Sequence, residues 1–292
     1  MQTLRLLVKS MRPRQWPKNI FIFAALGFDR QILHLDALLR TTGGFVLLCL
    51  ASGVVYLIND VADRNQDRLH PDKRKRPIAA GEISVALALA VSAVLGPLCV
   101  ALAFLLNPTL GWLVFGYLLL NLAYSLALKH VPIVDALTVA AGFVIRVAAG
   151  VTLIEVERFS PWLYVCTILL ALYISFGKRR AELALLVEDA SNHRRVLDGY
   201  TIPLLDSYIQ IVSAATIVAY SLYTFSAPNL PANHSMMLTV PFVVYSIFRY
   251  LYLIQVEKAG GAPEEIVMMD RPLQAGVVLW AVSAMGILYL QR

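Results

Sequence analysis

Apolar residues gather in nine long runs, near residues 20–38, 43–60, 85–106, 110–128, 133–153, 161–177, 205–226, 237–256 and 272–290, with charged and proline-bearing stretches between them. A run of about 20 apolar residues coiled as an α-helix spans the hydrocarbon core of a bilayer. The pattern predicts an all-α, polytopic membrane protein with nine transmembrane helices. The first run is the least regular, because Asp29 and Arg30 interrupt it and charge inside a span is costly. No stretch reads as a soluble domain, a low-complexity tract or a short repeat. Residues 1–292 are therefore expected to form a single integral-membrane domain.

Composition narrows the class. Of the 292 residues, 59% are hydrophobic and 15% charged, with mean hydropathy +0.68, whereas a soluble domain carries about 25% charged residues. Disordered, collagen-like and disulfide-stapled chains are excluded. The net charge is +6. With the N-terminus inside, 19 of the 25 Lys and Arg residues fall on the inner side and four on the outer, two more lying within helices. Positive charge collects in cytoplasmic loops, so the N-terminus and the loops 60–84, 178–204 and 257–271 are expected to face the cytoplasm from the cell (inner) membrane. No basic stretch interleaves with aromatics in a soluble module, which argues against a nucleic-acid partner. Cys49, Cys99 and Cys166 lie in apolar runs without CxxC spacing and read as buried thiols. Residues 1–18 are basic, lack a compact apolar core, and read as a retained surface segment.

The chemistry concentrates where the second run ends, in Asn59-Asp60-Val61-Ala62-Asp63-Arg64-Asn65-Gln66-Asp67. Asp60, Asp63 and Asp67 stand at i, i+3 and i+7, so a continuing helix would align three carboxylates on one face. Three like charges repel unless something positive stands by them. Hard carboxylate oxygens suit Mg2+, which keeps waters and bridges to substrate phosphates. The plainer reading is a solvated helix end, but charges entering the end of an apolar helix are costly and usually functional. A cationic segment follows, His70 to Gly81, with Lys73, Arg74, Lys75 and Arg76 in succession. Carboxylates for a metal beside dense positive charge suit a phosphorylated substrate. Topogenic charge or anionic-lipid contact accounts equally well for Arg74 and Lys75.

The run from Asn59 to Asp67 resembles the first Asp-rich motif of the UbiA superfamily of intramembrane prenyltransferases. More narrowly, Met11 to Asn19, Asn59 to Gly81 and Gly177-Lys178-Arg179-Arg180-Ala181-Glu182-Leu183 resemble the decaprenyl-phosphate phosphoribosyltransferases. Further similarity runs through Ile145-Arg146-x-Ala148-x-Gly150 and Asp270-Arg271-x-Leu273-Gln274. The resemblance implies nine helices around a central cavity. It also implies Mg2+-dependent transfer of a phosphoribosyl group from 5-phosphoribosyl diphosphate to a polyprenyl phosphate, with release of diphosphate and a role in cell-wall biogenesis.

The aromatic prenyltransferases of that superfamily carry a second Asp-rich motif, and here Lys178-Arg179-Arg180-Ala181-Glu182 stands in its place. Three cations instead of an Asp pair can meet metal-free phosphate directly, which fits two phosphorylated substrates. On this resemblance Asp60, Asp63 and Asp67 are metal ligands, and Asp60, Asp63, Lys18 and Lys178 are catalytic. Arg14, Asn59, Lys73, Arg76, Lys129, Arg146 and Arg179 bind substrate. Lys178, Arg179 and Arg180 also read as positive-inside charge, and Lys129 keeps two readings. Lys129, in Tyr124-Ser125-x-x-x-Lys129, either touches phosphate or snorkels from a helix end; Arg146 is too costly to face lipid and is expected to face the cavity. Lys178→Ala and Arg179→Ala are both expected to weaken turnover without unfolding.

Two other readings remain at this point: a prenyltransferase moving a prenyl group from its diphosphate to a small aromatic acceptor, and a lipid transporter. Transporter sites lie near the midplane, whereas these carboxylates cluster at one membrane face. Neither a P-loop nor a dinucleotide fingerprint is present. Membrane lipids are expected partners, and homo-oligomer assembly is left open.

Overall fold

The structure, a computed structural model, describes residues 2–71, 73–156, 160–188, 195–257, 266 and 269–290. Arg158 and Arg292, two of the cations assigned to the outer side, lie outside the described residues. The described residues contain no β-strand. Among the described residues twelve α-helices are complete: α1 (Gln2–Ser10), α2 (Ala24–Phe28), α3 (Leu35–Ala62), α4 (Arg64–Leu69), α5 (Pro77–Ala80), α6 (Val85–Leu106), α7 (Pro108–Leu126), α8 (Val134–Val151), α9 (Trp162–Glu188), α10 (Ile202–Ser226), α11 (Val240–Gln255) and α12 (Arg271–Leu290).

Eight segments among the described residues are long and apolar enough to cross a membrane: α3, α6, α7, α8, residues 162–184 of α9, α10, α11 with the 3-10 turn Ser235–Thr239 before it, and α12. The first expected span differs. Its sequence forms the 3-10 helix Pro13–Phe23 and then α2, with the chain turning before α3. Pro13 and Pro17 shape this segment: each lacks an N–H, and Pro17 sits inside the helical stretch, where it breaks the α-type ladder. The nine-run reading thus holds as eight long spans and one composite helical segment. The protein is a multi-pass membrane protein.

Helix starts follow local rules. Asn107 caps α7, its carboxamide oxygen accepting from the N–H groups of Thr109 (2.8 Å) and Leu110 (3.1 Å), with Pro108 at the first position. Thr201 caps α10 and Ser84 caps α6 in the same way. Large apolar side chains stay exposed on α6 and α7, among them Val94, Leu105, Trp112, Leu119 and Leu126. In water such a surface would be a liability; in a bilayer it faces acyl chains.

The chain divides into two compact units: Met1–Leu26, Gln31–Lys129 and Ile145–Glu155 form one, and Gly27–Arg30, His130–Val144 and Val156–Arg292 the other. In the first, Ile22, Leu48, Cys99, Leu110, Val114 and Leu153 share a core. Gly150 is required there: a Cβ would stand 1.9 Å from the Ile22 carbonyl oxygen. In the second unit, Tyr173, Leu205, Ile209, Ile247, Ile254 and Leu273 pack together, and a second cluster joins Tyr220, Tyr223, Met236, Ala284 and Leu288. All three cysteines are free thiols; Cys49 and Cys99 are buried and Cys166 half-buried.

Candidate active site

The acidic motif sits at a bend. α3 ends at Ala62, and Asp63 takes φ −90°, ψ 2°, a sparsely populated backbone region favoured at functional sites. α4 then starts at Arg64, so the single continuing helix expected from the aspartate spacing is interrupted. Hydrogen bonds carry through the bend, from Asp63 N–H to the Asn59 carbonyl and from Asp67 N–H to the Asp63 carbonyl, both 2.9 Å. The i, i+4 register survives.

Each carboxylate meets a cation. Asp60 is 2% exposed and forms ion pairs with Arg12 and with Arg76 (3.2 Å); Arg76 Nη1 also donates to Asp67 at 2.6 Å. One guanidinium therefore bridges two buried aspartates seven residues apart. Asp63 turns elsewhere, accepting from Lys129 Nζ at 2.5 Å and from Asn59 Nδ2 at 3.1 Å. The three aspartates do not share one partner: Asp60 and Asp67 share Arg76, while Asp63 holds Lys129 beside Asn59.

Local sequence sets these cations. Arg76 precedes Pro77, whose ring favours an extended conformation for the residue before it, and its φ −68°, ψ 138° conform. Pro77 opens the short α5, and Gly81, at φ +83°, closes it in a conformation costly for any residue with a Cβ. Arg68 Nε donates to the Ala79 carbonyl at 3.0 Å and ties this loop to α4. Arg12 is unusual, a non-glycine residue at φ +53°. It is held there by its ion pair to Asp60 and by its guanidinium, 4.7 Å from the Tyr56 ring centroid. Arg12 lies in the stretch Met11 to Asn19, but its position before Pro13 carries no sequence signal that would reveal this role.

The other expected cations of this unit are placed differently. Arg14 and Lys73 are exposed, and Lys18 is half-buried in the 3-10 helix. Lys129 is buried, which fits ion pairing better than snorkelling. Arg146 is 9% exposed; it donates to Asn19 Oδ1 (2.7 Å) and Tyr117 Oη (2.9 Å) and lies over the Tyr117 ring. Asn19 also donates to Ser52 Oγ and Cys49 Sγ, both at 3.3 Å. This arginine ties α3, α7 and α8 to the 3-10 helix.

In the second unit, α9 carries Lys178, Arg179 and Arg180. Arg179 is 4% exposed; its Nε donates to the fully buried Asp135 at 2.6 Å, and its guanidinium also pairs with Glu182. Arg180 pairs with Asp206 (2.5 Å) and donates to the Ile254 carbonyl (3.1 Å). Lys178 is half-buried. The partner of Asp135 is thus Arg179, forty-four residues away. Tyr200 completes the group: its hydroxyl donates to Asp135 Oδ1 at 2.9 Å and accepts from the Ile133 N–H at 2.5 Å. Burial pushes its phenol well above the usual tyrosine range, so it remains a donor.

At the start of α12, Asp270 does two things. It accepts from the Leu273 N–H at 2.7 Å, a capping bond, and from Arg249 Nη2 at 2.7 Å. The hydrogen bond from Arg249 holds its carboxyl below the usual carboxylate range. Folding therefore gains from this group at pH above the ordinary carboxylate pKa and loses that gain as pH falls through the depressed value. Asp270→Asn is expected to flatten the acid-side decline of thermal stability, measured by unfolding midpoints in detergent from about pH 5 down to about pH 2.

The donor chemistry of the α3 end suits Mg2+: three carboxylates and a carboxamide within nine residues supply hard oxygens, beside guanidinium and ammonium groups suited to phosphate. Among the described residues no three acidic groups converge as a ready-made metal cluster, because cations separate them.

The UbiA prenyltransferase family model matches residues 20–264. The chain is 34% identical over 281 residues to the decaprenyl-phosphate phosphoribosyltransferase of Mycobacterium tuberculosis, covering 95% of this chain and 92% of that protein. It is 30% identical over 290 residues to the enzyme of that name from Corynebacterium glutamicum, covering 97% and 87%. Among solved structures, a UbiA homolog from Archaeoglobus fulgidus bound to GPP and Mg2+ superposes with TM-score 0.74 at 20% identity, over 97% of this chain and 99% of that one. Matches of this extent to one family, in sequence and in fold, show that the chain belongs to the UbiA prenyltransferase family.

Proposed function

We propose that the protein is a polyprenyl-phosphate phosphoribosyltransferase, a single integral-membrane glycosyltransferase. It would move the 5-phosphoribosyl group of 5-phosphoribosyl diphosphate to a decaprenyl-type phosphate and release diphosphate. The observation that carries this reading is the alternation of acid and base at the end of α3, where Arg12, Arg76 and Lys129 pair with Asp60, Asp67 and Asp63. Such a set suits a metal-bound diphosphate: the carboxylates would hold the metal and the cations the phosphate oxygens. The near full-length likeness to phosphoribosyltransferases supports the choice of donor.

Asp60, Asp63 and Asp67 are the residues that would hold Mg2+, which when bound would neutralise charge on the departing diphosphate. Arg12, Arg76 and Lys129 would bind that diphosphate, with Arg14, Lys18 and Lys73 as further cations of the same unit. Lys178 would meet the acceptor's phosphate. In the transfer, the ribose C1–O bond to diphosphate breaks, its electron pair leaving with diphosphate, and an acceptor phosphate oxygen forms the new bond to C1. That oxygen is already anionic at pH 7, so no general base is needed. The work of the side chains is to bring two anions together against their repulsion. The reading places Lys178 and the acidic motif on the cytoplasmic side.

Thermal protection tests the donor. In detergent with Mg2+, 5-phosphoribosyl diphosphate should raise the unfolding midpoint by several degrees, more than geranyl diphosphate does. Protection by geranyl diphosphate alone would favour prenyl transfer to a small acceptor instead.

A further inference from the structure

We propose that Asp135 and Tyr200 are positioning residues that clamp Arg179, so that Lys178 is the cation α9 offers to the acceptor's phosphate. The identity of that acceptor rests on the function proposed above; the clamp itself does not.

The geometry is specific. Three consecutive helical residues point about 100° apart, so Lys178, Arg179 and Arg180 divide the circumference of α9 between them. Two of the three directions are taken by protein carboxylates. Arg179 reaches Asp135 and Glu182, and Arg180 reaches Asp206 and the Ile254 carbonyl. Pinning two of three directions fixes the rotation of the helix about its axis, and with it the direction of the third.

Asp135 is itself held. Its second oxygen accepts from Tyr200, whose hydroxyl also accepts from the Ile133 N–H. Ile133 lies at φ +68°, a strained conformation for a β-branched residue, kept only where its surroundings impose it. Gly199 adds to the constraint: a Cβ there would stand 2.3 Å from Pro132 Cγ, so the two segments approach as closely as glycine permits. A buried carboxylate with two donors, one of which also secures a strained backbone, is overbuilt for neutralising a single arginine. A buried ion pair adds little net stability over an apolar pair, whereas a fixed orientation is worth much to binding.

Lys178→Ala, Asp135→Asn, Tyr200→Phe and Arg179→Lys test this. The binding probe is farnesyl phosphate, read by thermal shift in detergent with EDTA, with farnesol as control. Wild type should be stabilised by farnesyl phosphate but not by farnesol. Lys178→Ala should abolish the shift. Asp135→Asn and Tyr200→Phe should weaken the apparent Kd at least tenfold, and Arg179→Lys less, since it keeps the charge without spanning Asp135 and Glu182. In turnover, Asp135→Asn and Tyr200→Phe should raise KM for polyprenyl phosphate at least tenfold and leave KM for the donor within twofold.

Variants that bind farnesyl phosphate like wild type, and lose activity only in proportion to their folded fraction, would overturn the proposal. So would a wild type that farnesyl phosphate does not stabilise. The expected binding pattern without any phosphoribosyl lipid product would uphold the clamp and refute the proposed function.

Discussion

Asp60→Asn is expected to cut turnover by at least about 10³-fold, roughly 4 kcal/mol of transition-state stabilisation, while the fold survives. The amide keeps the shape of the carboxylate and one acceptor oxygen for Arg12 and Arg76. Arg76 retains Asp67, and the Arg12 and Arg76 side chains are each 26% exposed, so solvent screens the charge left behind. The stability cost should stay near 1 kcal/mol. What the substitution removes is one anionic oxygen of the proposed metal site and the counter-charge that keeps two guanidiniums together. Initial rates and an unfolding midpoint on the same preparation check both halves. Loss of activity that merely follows loss of folded protein would reduce Asp60 to a structural residue.

Arg179→Ala is expected to fail differently, by unfolding. Asp135 is fully buried, and removing its charge partner strands a carboxylate in the interior, at a cost of about 3–5 kcal/mol. Sequence reasoning expected both Lys178→Ala and Arg179→Ala to leave the fold intact; the geometry supports this for Lys178 alone. The double variant Asp135→Leu/Arg179→Met should recover most of the stability, since a buried ion pair and a well-packed apolar pair are close in free energy. It should not recover binding of the acceptor phosphate. Half-lives at fixed temperature, compared for wild type, single and double variants, read this out even where unfolding in detergent is irreversible. A single variant as stable as wild type would mean that Asp135 finds another donor.

Much of this was legible in the sequence, because bilayer thickness imposes a length on each apolar run. Eight spans appear where the runs lie, with ends shifted by a few residues except at the first end of α3 and the last end of α9. α3 begins at Leu35, eight residues before its run, and α9 continues to Glu188 through the basic stretch. The first run appears as a composite helical segment because apolar content says nothing about proline: Pro13 and Pro17, just ahead of it, set a 3-10 helix that takes in its first residues. The acidic motif is legible from spacing, but spacing on an ideal helix could not foresee the bend at Asp63 or its pairing with Lys129, sixty-six residues away. Arg12 and Tyr200 were missed for a common reason. Each acts on a carboxylate far away in the chain, forty-eight residues for Arg12 and sixty-five for Tyr200, and no local pattern encodes such a pairing. One signal was available for Asp135. A carboxylate in an apolar helix needs a donor, though the sequence offered several cationic stretches and did not single out 178–180.

The most direct test of the account supplies purified protein with Mg2+, 5-phosphoribosyl diphosphate labelled in the ribose, and decaprenyl phosphate, and measures label in the extracted lipid. A labelled, mild-acid-labile lipid phosphoribose should form in step with released diphosphate, be absent with EDTA and be lost when Asp60, Asp63 and Asp67 are all changed to Asn. Undiminished lipid labelling by the triple variant would contradict it.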